Sequence, residues 1–84
     1  MDTAEIRRRV KQAIAKVSKI DPSEITDDAS YREDLGLDSL SILEIAVSVE
    51  NRFKFQATDE ELSSIRTVED TVNLVKKRLS VEIA

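Results

Sequence analysis

Ser39 stands where chemistry is easiest to imagine in this 84-residue chain. It closes the string DLGLDS, Asp34 to Ser39, just before apolar residues recur at helical spacing from Leu40 to Phe53. Asp is a favoured N-cap, so a helix is expected to begin at Asp38 or Ser39. A serine at that point projects its hydroxyl away from the core, and Gly36 lets the approaching chain turn without a Cβ clash. Such a hydroxyl is open to a transferase. It is not a hydrolase nucleophile: GLDSL departs from the G-x-S-x-G elbow, and the chain has no His to act as base.

Composition narrows the classes further. With no Cys and no His, there is no thiolate metal site, no disulfide, and neither the commonest general base nor the commonest transition-metal ligand. Enzyme chemistry of its own is therefore not expected. The 40% apolar and 36% charged residues suit a globular protein, and the length suits one domain spanning residues 1–84. The opening MDTAEIRRRV lacks an apolar core of signal-peptide length, and no run approaches the roughly 20 residues of a membrane span. A cytoplasmic monomer is the expectation.

Charge is unevenly spread. Met1 to Lys19 holds six basic and two acidic residues, whereas Ile20 to Glu50 holds one basic and nine acidic. The middle of the chain should attract basic partners. Net acidity and three aromatics argue against nucleic acid. Arg7, Arg8, Arg9 and Lys11 have the charge of a phosphate or membrane patch, but they flank an apolar helical stripe and read better as a solvated face.

The elements that must position Ser39 follow from periodicity. Thr3 to Ser18 reads as a helix with Ile6, Val10, Ala13, Ile14 and Val17 on one face and Asp2 or Thr3 as cap. Ile20 to Leu37 has no sustained period and reads as a long connection with one short helical turn, pinned by Ile20, Ile25, Tyr31, Leu35 and Leu37. Connections of this length are often functional. Lys54 to Ala57 is a loop, and Thr58 to Glu61 spells a capping box for a short third helix. Thr67 and Asp70 open the last helix, with Val68, Val72, Val75 and Leu79 as its stripe, acids Glu69 and Asp70 early, and Lys76, Lys77 and Arg78 late, as the dipole favours. The expected fold is all-α: a four-helix bundle with a short third helix and a long loop between the first and second helices.

The second helix carries two apolar faces. At about 100° per residue, Ile42, Ile45, Ala46, Val49 and Phe53 share one face, which reads as core. Leu40, Leu43 and Val47 form a second stripe roughly 140° away by the same arithmetic, bordered by Glu44 and Asn51. Either the helix packs on two sides, or the second stripe is an exposed apolar strip rimmed by acid, suited to docking a partner.

The string DLGLDSL, Asp34 to Leu40, with Glu44 five residues after Ser39, closely resembles the phosphopantetheine attachment motif of the acyl carrier protein family. The resemblance spans nearly the whole chain: first helix, long loop, serine opening the second helix, short third helix and TVEDTV start to the last. It implies a 4'-phosphopantetheine arm, derived from coenzyme A, on Ser39. The phosphodiester would then lie at the positive end of the helix, an interaction worth roughly 0.3 to 1 kcal/mol.

The resemblance also implies that Asp38 helps a phosphopantetheinyl transferase hold metal-bound coenzyme A against Ser39. Leu40, Leu43, Glu44 and Val47 match positions of a recognition helix read by transferases and by acyl-loading and synthase enzymes. This favours the docking reading of the second stripe. The acyl chain, a thioester at the tip of the arm, would fold back near the second and third helices, with Ala46, Leu62 and Ile65 as lining candidates.

The sequence departs from the fatty-acid carrier pattern at Ser41, Asn51 and Arg52, where acids are common, and in FKFQAT, Phe53 to Thr58, which lacks the usual Pro and acids. A carrier of fatty-acid or polyketide intermediates is expected, with a peptidyl or aminoacyl carrier as the alternative. Acidity around Ser39 favours the acyl role.

Overall fold

Caps and apolar periodicity together account for where each helix starts and stops. The computed structural model describes residues 2–83. Helix α1 covers Thr3–Ser18, and the Asp2 carboxylate accepts from the Glu5 N–H at 2.8 Å. It ends on Lys19 in the left-handed conformation, whose N–H donates to the Ala15 carbonyl. Helix α2 covers Ser39–Phe53 and ends the same way on Lys54. Helix α3 is Asp59–Ser64, opened by the Thr58/Glu61 capping box in both directions. Helix α4 is Val68–Ile83. Thr67 and Asp70 cap its start reciprocally, each side chain accepting from the other's backbone N–H at 3.1 Å.

Helix α1 packs against both α2 and α4, which is why its stripe Ile6, Val10, Ala13 and Ile14 is buried throughout. Ile45, Val49 and Phe53 meet it from α2, and Val68, Val72 and Val75 from α4. This is the four-helix arrangement expected from the sequence. Leu79 is partly buried against the same core.

The connection from α1 to α2 contains one short helical turn, Pro22–Glu24, started by Asp21. Ile25 and Tyr31 anchor it in the core, while Ile20, Leu35 and Leu37 pack on more loosely. Backbone bonds fasten it further: Tyr31 donates to the Arg66 carbonyl at 3.0 Å, and Val68 donates to the Ala29 carbonyl at 3.0 Å. They make an isolated antiparallel bridge of Ser30 with Thr67. The long loop is therefore held against the start of α4, and its end delivers Ser39 to the surface at a fixed place.

Two sequence expectations are corrected. Spacing places Ile42 on the core face of α2, but it is only half-buried against the core, because it also lines an open groove between α2 and α3. Lys76, Lys77 and Arg78 were assigned to the end of the last helix, but α4 runs on to Ile83. Lys77 and Arg78 instead pair with Glu61 of α3, so their charges hold two helices together.

The basic first third is also accounted for by packing. Arg7 donates to both carboxylate oxygens of Glu69, at 2.9 and 2.8 Å, and approaches Asp27 at 3.6 Å. Lys11 pairs with Asp27, while Arg8 and Arg9 pair with Glu5. Arg8 and Arg9 lie along the surface of α1, as a solvated face would, whereas Arg7 and Lys11 are partly buried and tie α1 to the loop and to α4.

Candidate functional site

Ser39 is the first residue of α2 and is exposed. Two local features put it there. Gly36 adopts φ +65°, a conformation L-residues rarely take, although nothing lies within 4 Å of where its Cβ would be. The requirement is for backbone freedom and not for space. The Leu37 N–H then donates to the Tyr31 carbonyl at 2.8 Å, closing the turn.

Asp38 is the N-cap, its carboxylate accepting from the Ser41 N–H at 2.9 Å. The backbone bond from Ser41 holds the Asp38 carboxyl below the usual range, helped by the positive charge of Arg32. Asp38 is therefore held in its ionised form beside the serine.

The Ser39 hydroxyl accepts a hydrogen bond from the Arg32 guanidinium. Sequence reasoning did not single out Arg32. Its signal was available, because Arg32 is the one base among nine acids between Ile20 and Glu50, but six residues of non-helical chain separate it from Ser39.

A groove of about 550 Å³ opens beside Ser39 between α2 and α3. Ile42, Leu43, Ala46, Leu62 and Ile65 form its apolar walls, and Arg32, Asp59, Ser63 and Arg66 add polar groups. All three lining candidates, Ala46, Leu62 and Ile65, are present. Ile42 and Leu43 join them, which explains why Ile42 is left half-buried.

The second stripe of α2 faces outward. Leu40 is 64% exposed, Leu43 49% and Val47 45%. Glu44 is exposed beside them. Large apolar side chains left this open along one helix form a contiguous strip that folding does not use. Opposite it, Ile45, Ala46 and Val49 are buried, so α2 has one core face and one open apolar face.

These residues fit a phosphopantetheine arm. An exposed hydroxyl at a helix start can be esterified, a guanidinium on that hydroxyl suits an anionic ester, and an apolar groove alongside suits an acyl chain. Among the described residues no group of His, Cys, Asp and Glu is arranged to hold a metal ion. No helix among them is long and apolar enough to cross a membrane.

Comparison with known proteins agrees. The family described as "Phosphopantetheine attachment site" matches residues 8–75. An acyl carrier protein of Petrotoga mobilis is 37% identical over 82 residues, covering 98% of this chain and 96% of that protein. One from Rhodococcus erythropolis is 42% identical over 73 residues, covering 87% and 80%. A meromycolate extension acyl carrier protein of Mycobacterium leprae is 42% identical over 73 residues, covering 87% of this chain and 64% of that protein. With family match, relatives, helical fold and exposed serine in agreement, the chain belongs to the acyl carrier proteins of the phosphopantetheine-attachment family.

Proposed function

We propose that this chain is a single carrier domain that performs no catalysis itself and holds acyl intermediates on a phosphopantetheine arm at Ser39. The observation that carries this reading is the exposed Ser39 hydroxyl at the mouth of an apolar groove. When bound, the arm supplies a thiol on which acyl groups are held as thioesters. Each residue has a separate task. Asp38 caps α2 and keeps Ser39 at its first position. The groove walls shelter the aliphatic part of the cargo from water. Leu40, Leu43, Glu44 and Val47 offer an apolar strip with an acidic border, on which transferase, loading and synthase enzymes dock.

Fatty-acid type chain building is the pathway best supported, because relatives named as acyl carrier proteins include one named for meromycolate extension. We also propose a cytoplasmic location. The deciding experiment is incubation with coenzyme A and a broad-specificity phosphopantetheinyl transferase, read by intact mass. Wild type should gain one phosphopantetheine, and Ser39→Ala should fold and gain none. Labelling that persists in Ser39→Ala would overturn the assignment of Ser39. Failure of wild type with several transferases would overturn the carrier reading.

A further inference from the structure

From the contact of Arg32 with Ser39 we infer that Arg32 is a positioning residue for the phosphodiester of the arm, steering it into the groove between α2 and α3. This rests on attachment at Ser39 and goes beyond it. The Arg32 Nη2 atom donates to Ser39 Oγ at 2.5 Å, so any phosphate joined to that oxygen places its charged oxygens within reach of the same guanidinium. The planar fork of arginine matches phosphate geometry and remains charged at any working pH.

The surroundings give this cation a role. The ionised Asp38 carboxylate adjoins Ser39, and a phosphodiester adds a second negative charge beside it. Arg32 is the one base against nine acids in the segment from Ile20 to Glu50. It stands at the point where loading adds the new anion, and it also lines the groove beyond Ser39.

Pairing phosphate with Arg32 therefore does two things. It offsets the repulsion from Asp38, and it holds the root of the arm on the groove side of Ser39, with Ile42 and Leu62 ahead of it. Arg32 is exposed, so the bias toward the docked arm should be about two- to fivefold, as for a surface ion pair, and should shrink in salt.

The test uses the full chain loaded with phosphopantetheine, with loading verified by intact mass. In nuclear magnetic resonance spectra, the Arg32 Nε–Hε signal and the phosphorus signal should both shift between 20 mM and 500 mM salt in loaded protein, as the Debye length falls from about 20 Å to about 4 Å. Contacts of the arm with Ile42 and Leu62 should weaken about two- to fivefold in Arg32→Gln and be partly restored in Arg32→Lys. Arg52→Gln removes the same charge from an exposed position late in α2 and should leave those contacts unchanged. Loaded wild type whose Arg32 signal matches that of unloaded protein overturns the inference, as do equal arm contacts in Arg32→Gln. If mass shows that Ser39 takes no arm, the carrier reading falls and this inference with it. An Arg52→Gln effect as large as that of Arg32→Gln also overturns it, because net charge would then be the cause.

Discussion

The phenol of Tyr31 and the hydroxyl of Thr71, 40 residues apart, share a hydrogen bond inside the bundle. Tyr31 is fully buried and Thr71 nearly so. This is where the long loop before Ser39 is locked to α4. Thr71→Val leaves the Tyr31 phenol without that partner and should cost about 1 to 3 kcal/mol. Tyr31→Phe should cost less, about 1 kcal/mol, because the Thr71 hydroxyl keeps the Thr67 carbonyl at 3.4 Å. The double variant should recover part of the sum. Urea melts of all four proteins measure this cycle.

The same phenol makes stability fall in alkali. Burial pushes the Tyr31 hydroxyl up to about 12 from an ordinary value of 10.0. The folded protein holds the neutral phenol while the unfolded chain ionises it. This contribution is present below pH 10 and is lost as pH rises toward 12. Wild type should therefore lose stability more steeply over that window than Tyr31→Phe, as thermal melts at stepped pH should record.

Glu61 gives the opposite sign at the acid end. Hydrogen bonding from Arg78, then from the Thr58 backbone, lowers its carboxyl to about 2 from 4.5. Its stabilising effect is present above pH 4.5 and is lost as pH falls toward 2. Glu61→Gln should be less stable than wild type at neutral pH and should converge with it as pH falls through about 2.

Val49 and Val47 lie two residues apart on α2 and should behave differently. Val49 is 2% exposed and sits in the core, whereas Val47 is 45% exposed. Val49→Asp buries an unpaired charge and should destabilise by several kcal/mol, about 3 or more. Val47→Asp should change stability by no more than about 0.5 kcal/mol, yet it should slow transferase turnover, because the charge falls within the proposed docking strip. Melting curves beside transferase kinetics separate the two effects. A large drop in the melting temperature of Val47→Asp would show the strip to be structural.

Glu44→Lys tests the acidic border of that strip. The fold should be unaffected, since Glu44 is exposed and surface changes cost about 0.5 kcal/mol at most. Association with a basic partner surface should slow, and its dependence on ionic strength should flatten. Measuring kcat/KM at two salt concentrations checks this. Equal salt slopes for variant and wild type would mean that partners do not read Glu44.

Helix boundaries, caps and the serine were legible in the residues, because each depends on neighbours within a few positions. Thr58 and Thr67 cap helices where the sequence places them, and Asp2 and Asp38 prove to be the caps where it left a choice with Thr3 and Ser39, since a cap needs only its own first turn. The DLGLDSL string and Gly36 are local in the same sense. Periodicity also divided α2 into two apolar faces and marked the Ile45 and Val49 face as core, but it could not say whether the bundle would cover the second face as well. That followed from α1 packing on the Ile45 and Val49 side, which left Leu40, Leu43 and Val47 outside. Arg32 reaching Ser39, Ile42 opening into the groove, Arg7 on Glu69, and Arg78 on Glu61 all depend on how separate segments are brought together. Spacing along a chain specifies a helix face, but the partner of that face is set by packing among elements far apart in sequence.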